Sequence, residues 1–174
     1  PDDDDDDDTG GLLVNGDFPA VVDACRSRGY RPITFGVSPP NDILATDLVL
    51  HACTGTMKIQ GQRIDVPLPG RAGLYNASAA WAVCTQFGVT LDQFEEALRT
   101  VRAPNLRLQF KSIGPVVILN DCYNANPASM SNALETLDRF VQDCRSGRKV
   151  FVCGQMNELG EQAAHGMAHQ NRWP

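Results

Sequence analysis

Three short apolar runs, Leu12-Leu13-Val14, Val116-Val117-Ile118-Leu119 and Val150-Phe151-Val152-Cys153, each give way to a polar cluster. Runs this short and this apolar predict buried strands, and helical periodicity follows the first two. Residues 20–28 read as a helix ended by Gly29, with Ile33-Thr34-Phe35 as the next strand. The strand, helix, strand rhythm predicts an α/β fold built on a parallel sheet.

Residues 43–68 follow a different rule. Met57 and Ile59, then Ile64, Val66 and Leu68, alternate with polar residues around Gln60-Gly61-Gln62, which predicts an antiparallel hairpin. Residues 42–50 supply a neighbouring strand, and Pro67-Leu68-Pro69-Gly70 a rigid entry into a helix. Leu74, Ala77, Trp81, Cys84 and Phe87 mark that helix over 74–87. Thr90-x-x-Gln93 is a capping-box pattern opening a second helix that buries Phe94, Ala97, Leu98 and Val101. Ala103-Pro104-Asn105 reads as a linker. Beyond it, Val116–Leu119 as a central strand, a helix with Met130, Ala133, Leu134, Leu137, Phe140, Val141 and Cys144 on one face, and the strand 150–153 predict a βαβ unit. A last helix is expected from about Gly160.

Charge narrows the function classes. The chain carries 15 Lys+Arg against 21 Asp+Glu, a formal charge of −6, but seven acids form the run Asp2 to Asp8. The remainder, 14 acids against 15 bases, is nearly neutral, which excludes a basic nucleic-acid-binding face. A run of like charges followed by Thr-Gly-Gly predicts a disordered tail over residues 1–11. With 43% hydrophobic residues the body can form a core, and no apolar stretch reaches the ~18 residues of a membrane span. The six scattered cysteines lack a C-x-x-C pair and read as buried thiols of a cytoplasmic protein. His165 and His169 stand four apart with no third ligand evident, so no metal site is expected.

In parallel α/β sheets ligands bind beyond the carboxyl ends of strands. Asn15-Gly16-Asp17-Phe18-Pro19, the segment 120–127 and the segment 154–160 occupy such positions. Each has a local explanation in turns and helix caps. In the second cluster Asp121, Tyr123, Asn124 and Asn126 crowd before Pro127. A carboxylate there can accept ribose hydroxyls, and amides can meet a phosphate or an adenine edge, so a nucleotide or sugar site is plausible chemistry.

The string Asp121-Cys122-Tyr123-Asn124-Ala125-Asn126-Pro127-Ala128-Ser129-Met130 resembles the D-x-Y-N-A-N-P-x-S-M motif in the D-alanyl-D-alanine-adding branch of the Mur ligase family. Gly154-x-Met156-x-Glu158-Leu159-Gly160-Glu161 is similar to that family's G-x-M-x-E-L-G-E loop. Leu68-Pro69-Gly70-Arg71 with Asn76 resembles its L-P-G-x-H-N-x-x-N segment, and Asn15-x-Asp17 with Pro19 its N-A-D-D-P. The four motifs stand in the family's order.

The resemblance implies the end of a P-loop ATPase-type central domain over 12–102, then the first half of a Rossmann-like C-terminal domain over 103–174. It implies ATP as cofactor and Mg2+, with the magnesium ligands and the G-x-x-G-K-[ST] loop not in this chain. It implies ligation of D-alanyl-D-alanine to UDP-N-acetylmuramoyl-tripeptide through an acyl phosphate, with no turnover by this stretch alone. The residues it marks are Asn15 and Asn76 toward ATP, Arg107 and Asp121 toward ATP and catalysis, and Asn124 and Asn126 toward substrate. The departures are Ala72-Gly73 for His-Asn, Gln109 for the linker glutamate, and Phe18 for the second aspartate of N-A-D-D-P. They leave two alternatives: a non-catalytic nucleotide-binding or interaction remnant, and a sister amide ligase of the diaminopimelate-adding or cyanophycin type.

Overall fold

The computed structural model describes residues 11–144, 147–154 and 156. Outside these lie the Asp2–Asp8 run, most of the loop 154–161, the helix expected from Gly160, and His165 and His169.

The chain opens with a parallel pair. β1 (Leu13–Asn15) and β2 (Ile33–Gly36) pair from Leu13↔Ile33 to Asn15↔Phe35, connected by α1 (Pro19–Arg26). Pro19 starts the helix where its missing N–H costs nothing. β3 (Ile43–Leu50) pairs parallel with β2 at its start, then antiparallel with β4 (Gly55–Ile59). β5 (Gln62–Val66) completes a five-stranded sheet in the order β1-β2-β3-β4-β5. The β4–β5 turn is the expected Gln60-Gly61, with φ of 52° and 82°. A two-residue hairpin turn of this hand needs both values positive.

Two helices cover the sheet. α2 (Gly70–Gln86) buries Leu74, Ala77, Ser78, Trp81 and Ala82, and α3 (Leu91–Leu98) buries Phe94 and Leu98. The expected capping box closes both ways: Thr90 Oγ1 accepts from the Gln93 amide at 3.3 Å, and Gln93 Oε1 accepts from the Thr90 amide at 3.0 Å. Met57, Ile59, Ile64 and Val66 from the hairpin meet these helices in one cluster. Trp81 and Phe94 lie with ring centroids 5.3 Å apart. Gly55 lets α2 approach, because a Cβ there would stand 2.8 Å from Leu74 Cδ2.

Residues 101–108, without helix or strand, lead to a second piece. β6 (Gln109–Ile113) and β7 (Val116–Asn120) form a two-stranded antiparallel ladder, followed by α4 (Pro127–Cys144). Phe110 stacks on Phe140 of α4 at 4.9 Å.

The architecture is mixed α/β, as expected, but several local expectations are corrected. Val116–Leu119 is not a central parallel strand. Its ladder bonds go to β6 across a two-residue turn, and Val116 is 55% exposed. Residues 150–153 form no strand and are exposed, so the βαβ unit does not close among the described residues. Apolarity marks a strand without naming its partner, and a local hairpin closes at less entropic cost than a crossover. In the helices, Phe87 is an exposed C-terminal cap of α2, and Ala97 and Val101 face outward because α3 offers a stripe only two residues wide. None of the six cysteines is buried: Cys25 and Cys84 are half-buried, the other four exposed.

Leu74 is fully buried, so Leu74→Ala should lower the unfolding free energy by about 2–5 kcal/mol. Urea denaturation followed by Trp81 fluorescence measures this, and a loss below about 1 kcal/mol would place the core elsewhere.

Candidate functional site

Two polar clusters stand at strand ends. In the first, Asn15 ends β1, and its Oδ1 accepts from the Asp17 amide at 3.0 Å. The Asp17 carboxylate is itself occupied. Oδ2 accepts from the Val37 amide at 2.8 Å, and Oδ1 from the Ser38 amide and Asn41 Nδ2, each at 3.0 Å. Gly36 makes room for it, since a Cβ there would lie 2.5 Å from Asp17 Oδ1.

Beside it, Asp42 Oδ2 accepts from both the amide and the hydroxyl of Thr34 at 2.8 Å. Those two donors hold the Asp42 carboxyl below its ordinary pKa. Sequence reading missed the Thr34–Asp42 pair. Its one signal was Asn41-Asp42 after two prolines, an ordinary turn pattern. These carboxylates bind the chain's own donors, so they stitch the ends of β1, β2 and β3 rather than wait for a ligand.

The second cluster has the geometry of a site. Asp121 follows β7, and its Oδ1 accepts from the Leu108 amide at 3.0 Å. The Tyr123 amide donates to Leu106 O at 3.2 Å, and the Arg107 guanidinium lies 4.0 Å from the centre of the Tyr123 ring. Leu106 and Leu108, on either side of Arg107, have φ of 64° and 46°. Two non-glycine residues in the left-handed region cost free energy, and the 121–123 loop supplies the bonds that hold them there. A carboxylate, a guanidinium and a phenol ring are thereby assembled within one loop pair.

Two buried amide oxygens adjoin this loop pair. Gln109 and Asn120 face each other across the β6–β7 ladder, and their Oε1 and Oδ1 have no hydrogen-bond donor among the described residues. Buried acceptors of this kind call for a donor, such as a hydroxyl, an amine or a water.

The remaining expected residues are placed differently. Asn126 caps α4: its Oδ1 accepts from the Ser129 amide at 2.8 Å, while its own amide donates to Ser129 Oγ at 3.0 Å. Asn124 Oδ1 accepts from the Ala125 amide at 2.7 Å. Asn76 is exposed on α2. Arg107 and Asp121 are brought together through Leu108 and Tyr123; no hydrogen bond among the described residues joins Asn15 or Asn76 to them. Among the described residues no group of three or more His, Cys, Asp or Glu side chains could hold a metal ion.

Residues 106–170 match the family described as Mur ligase, glutamate ligase domain. The UDP-N-acetylmuramoyl-tripeptide--D-alanyl-D-alanine ligase of Treponema pallidum is 35% identical over 122 residues, covering 70% of this chain and 26% of that relative. The enzyme of the same name from Bacillus subtilis is 31% identical over 158 residues, covering 87% of this chain and 33% of the relative. A crystal structure of MurF from Acinetobacter baumannii superposes with a TM-score of 0.73 at 25% identity, covering 92% of this chain and 35% of that one. The chain thus spans about a quarter to a third of the length of the curated relatives it matches.

Removing the acceptor with Asp121→Ala should cost about 1–3 kcal/mol and speed amide exchange at Leu108. Unchanged exchange there would show that the strained loop holds itself. Because the folded pKa of Asp42 is depressed, its contribution is fully present above the unfolded value, about 4. It is lost as pH falls through the folded value. Urea midpoints should therefore fall more steeply for the wild type than for Asp42→Asn below about pH 4.

Proposed function

We propose, on the premise that this chain belongs to the Mur ligase family, that it works as part of an ATP-dependent amide-bond ligase. Its reaction is the addition of D-alanyl-D-alanine to UDP-N-acetylmuramoyl-tripeptide in the cytoplasm, with residues 12–102 and 103–174 as parts of the central and C-terminal domains. The observation that carries this reading is the Arg107–Tyr123–Asp121 cluster, built by the motif at 121–130 inside the segment that matches the family. No helix among the described residues is long and apolar enough to cross a membrane.

The acceptor set fits the sugar end of a nucleotide. Ribose hydroxyls would satisfy the buried oxygens of Gln109 and Asn120 and the acceptor capacity of Asp121. ATP, when bound, supplies the phosphoryl group that activates the substrate carboxylate. Arg107 contributes a fixed positive charge, held over Tyr123 so that little side-chain entropy is lost when an anion arrives. Asp121 holds the backbone after that arginine through the Leu108 amide, and the Tyr123 amide holds the backbone before it through Leu106 O. Asn126 orients the 121–126 loop by capping α4, which would leave its Nδ2 to meet a substrate carbonyl. Asn76 is the candidate adenine contact on α2, with Asn15 beside the sheet edge. Charge stabilisation at the γ-phosphate needs a phosphate loop and Mg2+, and this stretch holds neither sequence.

A specific observation favours a second reading, a nucleotide-binding remnant without catalysis. Gly73 stands where the family has asparagine, and a Cβ there would meet Leu68 Cβ at 2.8 Å and Leu68 O at 3.0 Å. This backbone has no room for the missing side chain.

Titrating ATP into the labelled chain should shift the amides of Asn76, Arg107 and Asp121. Arg107→Ala should weaken binding at least about tenfold, the worth of a charge-assisted hydrogen bond. No ADP should be released with UDP-N-acetylmuramoyl-tripeptide and D-alanyl-D-alanine. Silent amides would sink both readings, and turnover by these 174 residues alone would refute the assignment of catalysis to groups outside them.

A further inference from the structure

A helix leaves its first amide groups without partners inside the helix, and a side chain just before it normally accepts from one of them. At α2 that residue is Pro69, which has no side-chain acceptor, and no cap bond forms there. The acceptor comes from far along the chain. Asn132 of α4 places its Oδ1 3.1 Å from the amide of Ala72, the third residue of α2.

The surroundings are built for this approach. Asn132, Glu135 and Thr136 fall on one face of α4. Thr136 is 2% exposed, and its hydroxyl donates to Asn132 O at 2.6 Å. Glu135 pairs with Arg71 at 3.3 Å. Gly70 has φ of 73°, and a Cβ there would stand 2.6 Å from Thr136 Oγ1 and 3.0 Å from Asn132. Glycine is therefore required twice, for the turn into α2 and for the closeness of α4. Burial raises the pKa of Cys53 in the β3–β4 loop, and Cys144 at the far end of α4 adds to the shift.

We propose that Gly70-Arg71-Ala72 and the Asn132, Glu135, Thr136 face of α4 form a releasable latch that docks the β6–β7–α4 piece onto the five-stranded piece. The contact is polar rather than apolar, and the Arg71–Glu135 pair is half-exposed, so solvent screens it. Interfaces of this kind permit relative motion of the parts they join. The latch sets where the Arg107–Asp121 loops stand relative to α2, whatever ligand they meet, so it does not depend on the nucleotide reading.

The full 174-residue chain supplies the test. In the wild type the Ala72 amide is protected, and a short bismaleimide links Cys53 to Cys144, identified by peptide mapping. Asn132→Ala should speed Ala72 exchange by roughly tenfold and cut that cross-link several-fold. Asn132→Asp keeps an acceptor at a helix N-terminus and should retain both. Unchanged exchange in Asn132→Ala overturns the proposal. So does faster exchange with an undiminished cross-link, which would leave a cap without a latch. If Asn132→Ala does not fold, Glu135→Lys, which sets like charges together at an exposed pair, gives the same comparison.

Discussion

The burial of one face of α2 is the interaction on which the rest depends. Leu74, Ala77 and Trp81 fill the space above β4 and β5, and α3 closes over them through Phe94 and Leu98. Each fully buried aliphatic or aromatic side chain contributes roughly 1.5–3 kcal/mol, so this cluster carries most of what holds the sheet to its helices. Several other elements lean on it. The parallel strands lean on the side of α2, α4 reaches its first turn, and Asn76 rides on its solvent face.

Polar groups do two different jobs in this frame. Asp17 accepts from two amides and Asn41 Nδ2, and Asp42 from the amide and hydroxyl of Thr34, so their charge is used to tie loops of their own sheet edge together. Asp121 also accepts an amide, but the backbone it restrains is strained and carries Arg107. Carboxylates at strand ends thus look alike in sequence and differ in what they hold. Buried acceptors with no donor among the described residues occur at both edges, Asn41 Oδ1 at the first and the oxygens of Gln109 and Asn120 at the second, where they adjoin the strained loop of Arg107.

The hairpin around Gln60-Gly61, the Thr90 capping box and the α2 face were legible because each is a local pattern with a local cause. Alternation, a left-handed turn and a short-range cap need no information from elsewhere. The second piece was legible only as elements. Val116–Leu119 was readable as a strand, yet its partner was settled by a turn two residues long, and 150–153 did not pair at all. Periodicity also overstated burial at Phe87, Ala97 and Val101, which lie where α2 and α3 have nothing above them. At the candidate site, the motif at 121–130 singled out the loop whose Asp121 and Tyr123 bond to Leu108 and Leu106. It could not say that Asn126 would be engaged as a helix cap while Arg107 and Asp121 were assembled.

By itself the sequence determined the kinds of elements, the core face of α2, the near-neutral charge once Asp2–Asp8 is set aside, and the match of residues 106–170 to the Mur ligase family, through motifs that are contiguous in the chain. Only the tertiary structure decided which partners those elements take. Asn132 caps a helix sixty positions earlier, and Asp121 reaches back to Leu108 across a hairpin. It also decided that position 73 must be glycine, because Leu68 fills the space a side chain would need. The physical reason is common to all three. Hydrogen-bond partners and excluded volume are properties of surfaces brought together by folding, and they leave no periodic trace in the chain.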